Sequence, residues 1–284
     1  MIDRHYHRLP AEGRFQLFES TAGTGSNWDP TIQHGSPPLA LMTKAIEELA
    51  DTGAGGTPAC GGERSDLGNG SGSPLRVGRL TLDILGAIPV APVKVRAWVE
   101  RPGTRISMMM AEMLATRPDG TDRAVARVSA WLLATSDTAD AATDRHPPLV
   151  EGDGEPSAHD WIGAPGYLET VSWRTQVTAP GEPAVAWLSP LVPLVDDEPL
   201  TDLQRLAMVV DSANGVGAAL DPEEFVFMNT DTVVHLHRAP SGNDFALRAR
   251  GSIGPDGIGV TTADIFDRRG FIGTSAQTLL VQRR

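Results

Sequence analysis

Ser129-Ala130-Trp131-Leu132-Leu133 closes one run of strands, and Ser275-Ala276-Gln277-Thr278-Leu279-Leu280 closes another of the same plan. Working outward from each stretch gives the same pattern twice. Leu80 to Leu133 reads as strand, turn, strand, strand, turn, strand, and Asn229 to Val281 repeats it. Each copy follows a helical segment, about Pro37–Ala50 in the first and about Leu200–Ala219 in the second. A helix-plus-sheet unit that occurs twice predicts one pseudo-symmetric assembly of two equivalent halves. The halves differ in polar content, Trp131 in one against Gln277 in the other, and chemistry is expected where they differ.

The first helix is marked by Leu39, Met42, Ile46 and Leu49, spaced three and four apart, an apolar stripe for a helix lying on a sheet. Ser36 suits a cap, and Pro37 and Pro38 suit the first turn. Phe15–Thr21 alternates like a strand. Further strands are read at Arg79–Leu85, Val93–Arg101, Arg105–Thr116 and Ala124–Thr135, with Arg-Pro-Gly-Thr and Arg-Pro-Asp-Gly at turns. The second half opens with strands near Leu168–Val177 and Ala184–Leu188. It continues with Phe225–Arg238, Phe245–Ile253, Gly259–Phe266 and Phe271–Gln282. The expected class is α+β, a double hotdog in which two helix-wrapped antiparallel sheets join edge to edge and so hide one edge of each. The expected divisions are an N-terminal hotdog over 1–136, a linker over 137–160 and a C-terminal hotdog over 161–284.

Composition narrows the function. The chain has 284 residues, 40% of them hydrophobic, and a formal net charge of −12. That balance argues against non-specific nucleic-acid binding and against attraction to an anionic membrane. A local basic pocket for an anionic substrate stays compatible with it. The one cysteine, Cys60, lies in a Gly-rich insertion at 52–74 and reads as a loop residue without a role. No run of eighteen apolar residues and no signal-peptide core is present, so a cytoplasmic protein without a membrane span is expected. His235 and His237 share one strand face, but no third ligand has suitable spacing, so no metal is expected; nor is a redox cofactor. No phosphate-binding glycine loop occurs, and Gly215-Val216-Gly217 has no strand leading into it. Met108, Met109, Met110 and Met113 read as core filling, with a deformable acyl tunnel as the alternative.

Several segments in this order resemble the double-hotdog acyl-CoA thioesterases, the TesB-like thioesterases, over nearly the whole chain. Trp28 and His34-Gly35-Ser36-Pro37-Pro38 resemble the segment opening the first helix. Val210-Asp211-Ser212-Ala213-Asn214 resembles the helix with the family's catalytic Asp. The stretch from Asn229-Thr230-Asp231 to His237-Arg238 resembles the strand with a hydroxyl residue and an Asp, and Ser275-Ala276-Gln277 the strand with the catalytic Gln. The resemblance implies hydrolysis of an acyl-CoA thioester, with Asp211 as the base and Gln277 and Asn229 holding the water. Asn229 stands where a Thr or Ser is usual, a departure.

Residue chemistry is compatible with those roles. Asp211 lies within the second helix, whose apolar stripe includes Leu203, Leu206, Val210 and Ala218, so a partly desolvated carboxylate is expected, a better base than one in water. An amide such as Asn229 can hold a water. Backbone N–H groups from Gly35 onward could stabilise an oxyanion. His34 and Gly35 are expected to line the substrate pocket. Arg238 is a candidate for a phosphate of coenzyme A, and Asp231 reads as a structural residue that pairs with Arg238 or with a neighbouring strand. Two other readings stay open: a hydratase or dehydratase using His34 with Asp29, and a non-catalytic acyl- or lipid-binding protein, which the Asn229 departure favours. The duplicated chain is compatible with a monomer or a homodimer.

Overall fold

Three turns of apolar side chains at helical spacing need a surface to bury them. The computed structural model of this protein, which describes residues 2–52, 74–157 and 165–284, supplies one. Helix α1 (Ser36–Asp51) is buried from Ser36 through Ile46. Its prolines sit in the first turn, where a missing N–H costs nothing. No side chain caps it; Gly35 holds the cap position and Ser36 is already helical.

The sheet that wraps α1 contains β1 (Tyr6–Glu12), β2 (Phe15–Ser20), β3 (Leu75–Ile84), β4 (Pro92–Arg101), β5 (Ile106–Thr116) and β6 (Asp122–Ala134). The second half contributes β7 (Glu155–Pro156), β8 (Val171–Gln176), β9 (Ala184–Pro190), β10 (Phe225–Asn229), β11 (Asp231–Leu236), β12 (Phe245–Ile253), β13 (Ile258–Asp267) and β14 (Gly270–Arg283). All pair into one sheet in the order β1-β2-β4-β5-β6-β3-β11-β14-β13-β12-β9-β8-β7, with β10 also on β14. The order β1-β2-β4-β5-β6-β3 is mirrored by β8-β9-β12-β13-β14-β11. The halves meet where β3 and β11 pair antiparallel, from Asp83↔Asp231 to Arg79↔His235. This joint is the expected double hotdog. One hydrophobic cluster runs through it, from Leu39, Met42 and Ile46 to Leu206, Val210 and Leu247.

Three expectations need correction. The second helix is not continuous. It consists of α2 (Asp202–Ala207), a 3-10 turn at Val210–Ser212 and α3 (Ala213–Val216). Thr201 caps α2 by accepting from Gln204 N–H at 3.1 Å. The β-branched pair Val209-Val210 and the glycines at 215 and 217 are poor helix formers. Gly217 also lets the chain meet β12, because a Cβ there would lie 2.9 Å from Arg250 N.

The strand read at Phe225–Arg238 is likewise two strands. Asn229 pairs with Leu279 and Val233 with Ala276. That is four residues on one side against three on the other, an inserted residue of the β-bulge kind.

Trp131, finally, is not the counterpart of Gln277. Its neighbours Ala130 and Leu132 fill the core, so alternation turns Trp131 to the outer face. Register shifts at Val77/Arg79 and Met113/Leu114 upset a simple overlay of the repeats.

The linker region carries a 3-10 turn at Ala139–Ala141 and the short strand β7. Cys60 and most of the 52–74 insertion lie outside the described residues. Met109 and Met113 are core residues, and none of the four methionines lines the main cavity. No helix among the described residues is long and apolar enough to cross a membrane.

Candidate active site

The break in the second helix turns Asp211 toward the joint between the halves. Its side chain is almost completely buried, at 1% exposure. Oδ1 accepts from Asn229 Nδ2 at 2.8 Å, from Gln277 Nε2 at 3.1 Å and from the Thr232 hydroxyl. Gln277 Nε2 also reaches the Asp211 carbonyl at 2.9 Å and Thr232 Oγ1 at 2.9 Å. Hydrogen bonds to a charged group contribute about 1.5–3 kcal/mol each. Three of them offset the several kcal/mol that burying a carboxylate costs.

Thr232 was not singled out from the sequence. In a regular strand, residues three apart point to opposite faces, so Asn229 and Thr232 would not meet one acceptor. The extra residue between β10 and β11 reverses the alternation and aims both at Asp211. The hydroxyl that Asn229 lacks is therefore present, three residues further on. Nothing in the sequence marks the shift, apart from a hydroxyl residue on a strand that carries a site residue.

With Oδ1 held, Oδ2 faces the segment before α1. His34 Nδ1 lies 3.6 Å from it. That nitrogen accepts from Ser36 N–H at 3.1 Å, so in neutral His34 the proton is on Nε2. Burial holds the His34 pKa below the usual histidine value, although the Asp211 charge opposes this. Gly35 packs directly on the carboxylate: a Cβ there would lie 2.8 Å from Asp211 Cγ. The His34 ring stacks on Tyr167, with centroids 3.9 Å apart and planes 9° apart. Tyr167 in turn donates to Met208 O at 2.8 Å and meets Ser212 Oγ at 2.8 Å, which pins the helix break.

A second buried histidine lies behind this stack. Thr170 donates its hydroxyl proton to Tyr167 O at 2.6 Å, so it accepts from His5 Nε2–H at 2.9 Å. His5 Nδ1 has no partner among the described residues, and a proton there would be buried and unpaired. Burial, aided by the nearby His34, accordingly lowers the His5 pKa to about 3. Below the unfolded value near 6.5, the unfolded chain binds a proton that the folded chain does not. The stability His5 contributes is thus complete above pH 6.5 and is lost as pH falls toward 3. Thermal melting followed from pH 7 to pH 4 should show a steeper loss for the parent than for His5→Gln, which keeps a donor but does not titrate. Parallel slopes would contradict this.

A cavity of about 570 Å³ opens on Asp211, His34, Gly35 and Asn229. Among the described residues, Asp211 is the one carboxylate in its lining, and no lysine or arginine lines it. Asn229, His34, Gly35, Asp211 and Gln277 are thus brought together, though Gln277 holds the carboxylate from behind and does not line the cavity. Arg238 is placed elsewhere. Its guanidinium is spent on Asp267, at 2.7 Å and 2.5 Å, and on the carbonyls of Ala239, Gly270 and Phe271. It has no donor left for a phosphate and lies outside the cavity lining, so the expectation drawn from the strand pattern is corrected. Its carboxylate partner is Asp267; Asp231 instead accepts from Thr278 N–H and Thr230 Oγ1. Asp29 is exposed and holds Thr31 N–H and Oγ1, so it does not partner His34. His237 contacts Phe271 O, and no group of three or more metal-binding side chains occurs among the described residues.

Two helix-wrapped half-sheets joined edge to edge, with a buried carboxylate facing a cavity at the seam, define a double-hotdog protein. Residues 24–133 match the acyl-CoA thioesterase N-terminal domain and residues 141–281 the acyl-CoA thioesterase C-terminal domain. The chain belongs to the acyl-CoA thioesterase family, and it is a thioester hydrolase.

Solved structures show the same fold at low identity. One is a hot dog protein of unknown function from Alicyclobacillus acidocaldarius, with TM-score 0.67, 16% identity, and 96% of this chain and 95% of that one covered. Another, from Thermobifida fusca, is assigned without proof of activity as a thioesterase II, with TM-score 0.66, 15% identity, and coverage of 98% and 96%. A third is the TesB protein of Mycobacterium avium subspecies paratuberculosis, with TM-score 0.62, 13% identity, and coverage of 97% and 95%. No curated protein sequence matches the chain.

Proposed function

We propose that this protein hydrolyses acyl-CoA thioesters through a water deprotonated by Asp211. The observation that carries the proposal is the division of labour within one carboxylate. Asn229, Thr232 and Gln277 fix Oδ1, and Oδ2 is left toward the cavity. A water on Oδ2 gives up a proton as its oxygen attacks the thioester carbon. The tetrahedral intermediate then expels the thiolate, which takes the proton back from Asp211. The products are a carboxylic acid and coenzyme A, with no covalent enzyme intermediate.

The oxyanion needs a donor, and the start of α1 narrows the choice. Pro37 and Pro38 have no N–H. Ser36 N–H is used by His34, and Leu39 N–H by Gly35 O. Gly35 N–H has no hydrogen-bond partner among the described residues, and the Gly35 backbone lies close enough to the Asp211 carboxylate that a Cβ would meet it. It is the donor proposed here. Gln277, Thr232 and the Asn229 amide nitrogen position the base, and the carbonyl oxygen of Asn229, a residue that also lines the cavity, is left to accept from the water.

The cavity also favours an uncharged acyl group. A second carboxylate beside Asp211 would meet like charge with no cation among the described lining residues to offset it. Thiol release from short, medium and long acyl-CoAs tests the reading. Release that is lost in Asp211→Asn supports it, and no release from any of them contradicts it.

A further inference from the structure

The cavity has two unlike ends. One is walled by Trp28, Ile32, Gly86, Ala87, Thr230 and Leu280. The other is walled by Leu168, Trp173, Ala184, Ala186 and Val216. In the strand order β9, which carries Ala184 and Ala186, stands three places from β14, which carries Leu280.

The two ends differ in charge just beyond the lining. At the Trp28 end, the Arg284 guanidinium carbon lies 5.7 Å from the centre of the Trp28 ring, and its Nε donates to Pro222 O at 2.9 Å. From β6, Arg123 Nη2 comes within 3.1 Å of where a Gly86 Cβ would stand. Neither arginine is in an ion pair among the described residues, although the chain has twelve more acidic than basic side chains. At the Trp173 end the adjacent Arg174 is already paired with Asp244 at 2.5 Å. The acid nearest in sequence to Trp28, Asp29, is engaged by Thr31.

We infer that Arg123 and Arg284 form a phosphate site for the pantetheine-bearing half of the thioester, and that the acyl group occupies the Trp173 end. This rests on the thioester reading above. It takes over the task that the sequence pattern assigned to Arg238. Guanidinium groups suit the role because they keep their charge and offer forked donors to phosphate oxygens. The phosphate can be the one next to pantetheine or those of the nucleotide, and the two sources are separable.

The test is titration of coenzyme A, 4′-phosphopantetheine and pantetheine into the parent and into the R123Q/R284Q variant. kcat/KM for the three corresponding thioesters is measured in parallel. The parent should favour the phosphorylated forms over pantetheine by about ten-fold, a preference that falls with added salt. The variant should bring the ratio close to one. Equal preference for coenzyme A and phosphopantetheine assigns the site to the phosphate next to pantetheine; a further gain with coenzyme A assigns it to the nucleotide. A parent that binds pantetheine as tightly as coenzyme A, or a variant that keeps the preference, overturns the site. Binding preference without turnover of any thioester would instead refute hydrolysis and leave the site standing.

Discussion

Asp211→Asn is expected to lower thiol release by roughly 10²–10⁴-fold, the usual contribution of a positioned general base. The substitution keeps size and shape, and asparagine's carbonyl can still accept from Asn229, Thr232 and Gln277. The amide has no basic oxygen for the water proton. Folding should survive, because the variant also removes a buried negative charge that three neutral donors had to stabilise. Saturable acyl-CoA binding should survive with it. A variant that folds, binds and still turns over at the parent rate would remove Asp211 from the chemistry.

Gly35→Ala should be nearly as damaging, for a geometric reason. Gly35 has φ −67° and ψ −26°, a conformation open to any residue, so the backbone does not demand glycine. Space does. The added methyl would meet the Asp211 carboxylate, with Cγ at 2.8 Å. Either the carboxylate leaves its three donors or the start of α1 moves away from it. Misplacement by about 1 Å can cost on the order of 10²-fold in rate. The expected result is a folded protein whose kcat falls by about that factor. Activity within about two-fold of the parent would mean that the α1 start and the carboxylate need not touch during catalysis.

Much of the fold was legible because it repeats. The apolar stripe of α1 and the two runs of strands specify helix-wrapped half-sheets, and the β3–β11 joint follows from pairing the exposed edges. Asp211, Gln277, Asn229, His34 and Gly35 were recognised from short segments, and all five converge. What the sequence hid is register. One inserted residue near Thr230 decides that Thr232 shares a target with Asn229, and alternation between buried Ala130 and Leu132 turns Trp131 outward. No residue type signals either. Arg238 misled for a related reason. A basic residue on the right strand looks available until its partners are known, and Asp267, Gly270 and Phe271 come from the β13–β14 hairpin, 29 to 33 residues further along the chain. Arg123 lies beside Gly86 and Arg284 beside Trp28 of the cavity lining, from positions 161 residues apart, a placement no local pattern contains.

A carboxylate with one oxygen toward the substrate could activate water or attack the thioester itself. Single-turnover hydrolysis in ¹⁸O-enriched water, with enzyme in excess over acyl-CoA, separates the two. The water mechanism places ¹⁸O in the released acid and none in the peptide containing Asp211. Released acid without ¹⁸O, with the label recovered in Asp211, would show attack by the carboxylate and contradict the mechanism.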